Sequence, residues 1–421
     1  SERNGKWQIY QTKKTRKEEP YFYASTVLNE EPLFSSENNC YEPKYSPDGK
    51  EVAYIENRTS LVVYNIASKQ TRTLLTPNEL YYMSDGDQYF TWSPDSKWLM
   101  LEYTPTMPNG EAVLIAADGK SKMINLTQSG YNDYSPKWVN EGKQMLWFST
   151  RDGLRSYANS GDRQADVYSM FFTKEAWDRF NLNKEDYDLL KSIEDKQKEK
   201  DKKTKEDSKD KKEKKKEEVK KDSLLKFDWD NLRDRKARLT INSSSLGDAV
   251  LSKDGETLYY LSSFEKGLNL WSTNLRTKEA KMEIELDANS GELKWDKEMK
   301  NLFLLADGKI SKLDVDKGKR ESVSIKGEMK LDMAAEMKYM FDHVWQRTKT
   351  GFYSATFHGA NWDELKTDYM KYLPSIGNGY EFADMLSEML GELNSSHSGA
   401  KYYPKVIDGD ATASLGIFMD Y

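Results

Sequence analysis

Cysteine is nearly absent: Cys40 stands alone in 421 residues. A single thiol excludes intrachain disulfides and sites built from paired thiolates. It is silent on compartment, because exported bacterial proteins often lack disulfides, and the residue itself reads as a small buried or half-buried side chain. Histidine is scarce too, with three, scattered at 343, 358 and 397. No H-E-x-x-H occurs, which counts against a metallopeptidase. No apolar run is long enough to span a bilayer. The net charge is only −6, and no basic stripe runs through the strand-rich parts, so no nucleic-acid partner is expected. A cofactor is not expected either. The glycines of SIGNG (375–379) make a flexible turn, with no clear strand before them and no Lys-Ser/Thr pair after, as a phosphate loop would need.

Aromatic side chains, by contrast, are plentiful, with 26 Tyr, 15 Phe and 11 Trp. A chain of this length with that much apolar bulk is expected to hold two or more units, each with a core. Internal repetition organises the first of them. YSPDGKEVAYI begins at Tyr45, WSPDSKWLMLEY at Trp92, WVNEGKQMLWF at Trp138, LSKDGETLYYL at Leu251 and WDKEMKNLFLL at Trp295. Each copy is an apolar residue, a polar turn, a Lys or Glu and an apolar strand. Pro presets φ, and Asp and Gly tolerate tight-turn geometry, so these residues are read as turn-formers and not as ligands. The spacing is that of a propeller blade, roughly 40–50 residues. A second element follows each turn: FSTRDG then ADVYSMFF, and SSFEKG then LNLWSTNL. SERNG then KWQIYQTK at the start of the chain is the same element, so the chain is expected to open in mid-blade, as a fragment with any targeting segment lost or not included.

The interval from Trp138 to Leu251 is too long for one blade. Its surplus, about 173–226, contains KSIEDKQKEKDKKTKEDSKDKKEKKKEEVKK. With so few apolar residues this stretch cannot offset its ordering entropy, and it reads as a solvated helix or disordered loop inserted within one blade. The strand pattern resumes at FDWDNLRDRKARLT.

Beyond about Gly327 the period changes from two to 3.6. Met333, Met337, Phe341 and Val344 share one helical face, with Trp345 beside it. Asn361 and Glu364 form a capping-box variant ahead of a stripe of Trp362, Leu365 and Tyr369 that Pro374 terminates. In GYEFADMLSEMLGELN, Phe382, Met385, Leu386, Met389, Leu390 and Leu393 make a broad packing face. That helix is expected to end at Asn394, which puts Ser395, Ser396 and His397 at its C-terminal edge, where the dipole favours imidazolium. From composition alone a surface histidine capping carbonyls is the favoured reading. His343 and His358 show no convincing partner.

Three stretches, FDHVWQRTKTGFY, HGANWDELKTDYMKYLP and EFADMLSEMLGELNSSHSGAKY, resemble the helical subdomain of the tricorn protease family, within the wider group of carboxyl-terminal-processing peptidases. The preceding SPDG-type blades match the propeller of that family. The resemblance implies a serine peptidase in which His397 is general base toward a nucleophilic serine and Ser396 orients and polarises the imidazole, linked to a glutamate. A positioned imidazole is needed because an unaided hydroxyl is a poor nucleophile. Relatives with a serine–lysine pair lack this histidine, so SSH points to the tricorn branch. In the family the nucleophile, the oxyanion hole and the glutamate follow a PDZ domain. ATASLGIFMDY at the end of this chain resembles the first strand of one.

The expected architecture is therefore mainly β with a smaller α part. A partial β-propeller, an incomplete ring of four-stranded blades, spans 1–327. A helical subdomain carrying SSH spans 328–404, and the start of a PDZ-like domain spans 405–421. The resemblance implies peptide substrates, a propeller that filters or guides them and a homo-oligomeric parent, with no membrane span. The resemblance to bacterial relatives with charged propeller insertions implies a periplasmic location, with the cytoplasm as the alternative. The main rival is a non-enzymatic propeller of TolB type that binds peptide or protein, in which the SSH-bearing helices have no place. A prolyl-oligopeptidase-type enzyme would need a G-x-S-x-G elbow, and none occurs.

Overall fold

The computed structural model describes residues 1–3, 5–80, 89–106, 109–156, 163–206, 224–328 and 330–404. The chain divides into two compact units, one of Ser1 with Lys6–Ile325 and one of Glu2–Gly5 with the chain from Lys326 onward. The PDZ-like segment expected at 405–421 lies outside the described residues.

Among the described residues, five four-stranded antiparallel sheets follow one another in the β unit, each with its strands in chain order. Their first strands are Cys40–Tyr45, Phe90–Trp92, Asp133–Val139, Leu246–Leu251 and Gly291–Trp295. A two-stranded sheet of Tyr10–Lys14 and Leu28–Pro32 precedes them. These are propeller blades, and the alternation of side chains explains how they stack. Along Trp98–Thr106, Leu99 and Leu101 pack into the core shared with the preceding blade, while Met100 enters the core shared with the next. Along Gln144–Ser149, Met145 and Trp147 face back while Leu146 and Phe148 face forward. A strand covered on both faces is apolar at successive positions, which is why these segments read as near-continuous hydrophobic runs.

The turns do what their composition suggests. In three copies a serine hydroxyl donates to the aspartate two residues on, Ser46 to Asp48 at 2.7 Å, Ser93 to Asp95 at 2.6 Å and Ser252 to Asp254 at 2.6 Å. The same three oxygens accept the backbone N–H of Glu51, Trp98 and Thr257, closing the turn onto the next strand. The third copy has no such serine and turns through Asn140 and Glu141, both at positive φ. Adjacent blades are also joined by polar contacts. Trp92 Nε1 donates to the Lys44 carbonyl at 2.9 Å, Lys44 Nζ donates to the Phe90 carbonyl at 2.7 Å, and Trp295 Nε1 donates to the Leu251 carbonyl at 2.8 Å. In the second repeated element, Gly267 sits at φ +69, where any Cβ would lie 2.5 Å from Asp287 Oδ1, so glycine is required.

The charged insertion enters between the third and fourth strands of the third blade, Asp166–Phe171 and Lys236–Arg238. It begins with two helices, α1 (Lys174–Phe180) and α2 (Lys184–Glu206). Arg276, from the fourth blade, donates to the carbonyls of Phe180, Leu182 and Arg179 around the end of α1. It thereby satisfies acceptors that a helix terminus leaves open.

The C-terminal unit holds α3 (Met333–Gly351), α4 (Trp362–Met370) and α5 (Gly379–Gly391). Phe341 and Trp345 of α3, Trp362 of α4, and Phe382, Met385, Leu386 and Met389 of α5 share one buried core with Leu393. Trp345 Nε1 donates to the Trp362 carbonyl at 2.9 Å, and Trp362 Nε1 returns the bond to the Trp345 carbonyl at 3.1 Å. Burying one indole removes roughly 200 Å² from water, about 5 kcal/mol at 25 cal/mol/Å², and the reciprocal bonds leave neither N–H unpaired. Three sequence expectations are corrected here. Met333 is 62 % exposed, because it is the first residue of α3 and the packed stripe starts a turn later. Helix α4 stops at Met370, ahead of Pro374, as the chain tightens into three-residue turns from Tyr369. Helix α5 stops at Gly391, not Asn394, which takes a left-handed φ of 48°.

Two predictions follow from the β unit. Asp166 is fully buried and accepts from Arg238, Thr240 and Ser243. Asp166→Ala leaves the buried Thr240 hydroxyl without its acceptor and the partly exposed Arg238 without its ion partner, and is expected to cost about 2 kcal/mol, read as a lower urea midpoint at unchanged slope. Cys40 is 2 % exposed, and burial pushes its thiol up to about 11. Because the thiolate is the reactive form, Ellman's reagent should titrate it only after denaturant unfolds the chain. Rapid labelling of the native protein would contradict that burial.

Candidate active site

The HGANWD turn and the SSH loop both lie in the C-terminal unit. Between α3 and α4 the chain makes a tight turn through Phe357, His358 and Gly359, at φ of 49°, 53° and 93°. Asn361 then caps α4: its Oδ1 accepts from the Glu364 N–H at 3.3 Å and its Nδ2 donates to Glu364 Oε2 at 2.9 Å. Asn378 caps α5 by accepting from the N–H groups of Tyr380 and Glu381. These caps fix where the helices begin, and so how the chain beyond α5 is aimed.

After α5 the backbone passes through Leu393, which is 1 % exposed, and opens into a loop that returns at Ala400. Ser396 and His397 stand on that loop, both exposed, with His397 at φ 60°. Ser398 Oγ donates to the Ser395 carbonyl at 2.8 Å, closing a small ring around them. Among the described residues, no hydrogen bond joins Ser396 Oγ to the His397 ring, and none engages the ring itself. The helix dipole fades within the last turn. With α5 ending at Gly391, the expected placement of His397 at the helix edge is replaced by a placement on the loop.

The other two histidines have partners that sequence reasoning missed. His343 Nδ1 lies 2.5 Å from Glu2 Oε2, a carboxylate with a side chain only 4 % exposed, at the far end of the chain. His358 Nδ1 lies 2.8 Å from the Leu393 carbonyl and its Nε2 lies 2.6 Å from the Tyr353 hydroxyl. Nearby, burial pushes the Asp342 carboxyl up, but hydrogen bonds from Lys338 and Lys366 outweigh it and hold the group below the usual range. Burial and the Glu2 carboxylate push the Tyr339 hydroxyl up. Among the described residues, no group of three or more His, Cys, Asp and Glu could hold a metal ion. No described helix is long and apolar enough to cross a membrane. A cleft of about 720 Å³ between the fourth and fifth blades, lined by Gly247, Gly267, Asn289, Ser290 and Asp307 among others, contains no histidine.

Comparison with known proteins points in one direction. The tricorn protease C1 domain matches residues 333–391, stopping just short of Ser396 and His397. A protein described as a tricorn-like protease C-terminal subunit, from Sulfurisphaera tokodaii, is 25 % identical over 90 % of this chain and 41 % of its own length. A tricorn protease homolog of Saccharolobus solfataricus is 21 % identical over 89 % of this chain and 32 % of its own. The crystal structure of the tricorn protease superposes with a TM-score of 0.61 at 12 % identity, over 88 % of this chain and 34 % of that one. The family model, the curated relatives and the solved structure all support the tricorn family for this chain. It spans about a third to two fifths of the length of the curated relatives it matches.

Bonding separates the histidines chemically: His358 is exposed like His397, but both of its ring nitrogens are engaged. Diethyl pyrocarbonate should modify His397 several-fold faster than His343 or His358, as read by peptide mass spectrometry. Equal rates at the three positions would mean that His397 is engaged.

Proposed function

We propose that the parent of this chain is a serine peptidase of tricorn type that hydrolyses peptide bonds in oligopeptides. His397 is its general base and Ser396 the neighbour that orients and polarises the imidazole. The nucleophilic serine, its oxyanion-hole amides and the glutamate partner come from outside these residues. In the acylation step the imidazole takes the serine hydroxyl proton as the oxygen attacks the scissile carbonyl. It then delivers that proton to the leaving amine. Peptides pass the propeller, which filters or guides them, and the parent works as a homo-oligomer.

One observation carries this reading: an exposed imidazole on a loop whose ends are tied to the helical core, with no described group engaging the ring. A structural histidine is held through its ring nitrogens, as His343 and His358 are. A base that must meet a hydroxyl from elsewhere has to keep one nitrogen open. The family match supports the reading from a second side.

His397→Ala in the parent should lower kcat on short fluorogenic peptides about 10²–10⁴-fold with little change in KM. Ser396→Ala should cost less. The 421-residue chain by itself should give no turnover. Full activity of the His397→Ala parent would overturn the assignment.

A further inference from the structure

We infer that His358 is a positioning residue for the His397 loop, acting through the carbonyl of Leu393. The inference rests on His397 being the general base, and it adds a residue for which the HGANWD turn supplies no obvious chemistry of its own.

The loop between Leu393 and Ala400 is held at two posts. At the far post, Ser387 Oγ accepts the Ala400 N–H at 2.9 Å and donates to the Ala400 carbonyl at 2.9 Å. At the near post, the Leu393 carbonyl belongs to the last turn after α5, where helical acceptors run out of helical donors. The partner it finds is the His358 ring, at 2.8 Å. A carbonyl only accepts, so Nδ1 must carry the proton. In the neutral ring Nε2 is then the acceptor for the Tyr353 hydroxyl, at 2.6 Å. A histidine whose two nitrogens are both spoken for has a fixed tautomer and a fixed ring plane. Phe352 and Tyr353 pack edge-on against that ring, with centroids 5.4 and 5.3 Å away.

Backbone strain points the same way. Phe357 and His358 both take left-handed φ values, a conformation costing on the order of 1–3 kcal/mol at a non-glycine residue and persisting only where the surroundings over-determine it. Here the determining contacts are the two ring hydrogen bonds and the aromatic edges. The strained residue therefore hands its position on to Leu393, four residues ahead of His397. A base misplaced by an ångström loses up to about 100-fold in rate, so a fixed near post is worth having on a loop that carries one.

Asn and Asp at position 358 give the sharpest test, because both tolerate left-handed φ and have the same length, yet only Asn can donate to the Leu393 carbonyl. In the 421-residue chain, His358→Asp should speed amide exchange at Leu393 and Asn394 about 10-fold, and His358→Asn should restore it. In the parent, His358→Asp should lower kcat about 10–100-fold with KM within about twofold, and His358→Asn should keep at least about half the activity. Equal behaviour of the two variants would overturn the inference. Should the Asp variant fail to fold, the wild-type chain decides alone. Long-range ¹H–¹⁵N spectra at pH 8 must show His358 as the Nδ1–H tautomer, and an Nε2–H or averaging ring sinks the proposal. Failure of the general-base reading would look different: the His397→Ala parent would stay active while the tautomer and exchange results stood.

Discussion

A β-sheet that is apolar on both faces has to be covered on both, and the β unit is organised around that requirement. Leu99 and Leu101 are buried against one blade, and Met100, between them, is buried against another. The same holds for Met145 and Trp147 against Leu146 and Phe148. Stacking blade upon blade meets the need without lengthening any sheet. Polar contacts join blades as well. Trp92 and Trp295 each place an indole N–H on a carbonyl of the preceding blade, where the alternative would be a buried donor left unpaired at a cost of about 1–3 kcal/mol.

The helical unit answers a different constraint with the same means. Helices α3, α4 and α5 build their common core from large side chains, Phe341, Trp345, Trp362, Phe382 and methionines. The paired indoles each donate to the other residue's carbonyl, which ties α3 to α4 in one register. That register fixes the start of α4 and the turn before it, and with it the place of His358. From there the order passes to Leu393 and to the loop that holds Ser396 and His397.

Much of this was legible in the sequence because it is local or periodic. The blades announce themselves through Ser-Pro-Asp turns, whose serine and aspartate bond within three residues of each other. Helix α5 shows its packing face directly in the spacing of Phe382, Met385, Leu386 and Met389. The contacts that escaped have partners without a sequence signature. Leu393 receives His358 through a backbone carbonyl, which every residue possesses. Glu2 reaches His343 across nearly the whole chain, from a stretch that reads only as part of a repeated turn. The hold of Arg276 on the end of α1 is of the same kind, three carbonyls and one guanidinium. Helix ends are missed for a related reason: α5 has apolar periodicity through Leu393, yet its regular hydrogen bonding stops at Gly391.

Strain by itself does not single out the site. Left-handed non-glycine residues occur throughout the blades, at Asn57, Lys69 and Ser96 for example, where they close turns. What separates His358 from these is not the reach of its side chain, since Ser96 Oγ accepts the Asp48 N–H 48 residues away, but what that side chain holds. Lys69 and Ser96 serve turns of their own or adjoining blades, whereas His358 couples its turn to a carbonyl 35 residues on. Left-handed residues recur on the other side of that bond, at Asn394 and at His397 itself. Strain on both sides of one hydrogen bond is stable only if the bond and its packing hold it. The cost is borne by the buried core of α3, α4 and α5, to which both ends of this exposed loop are tied.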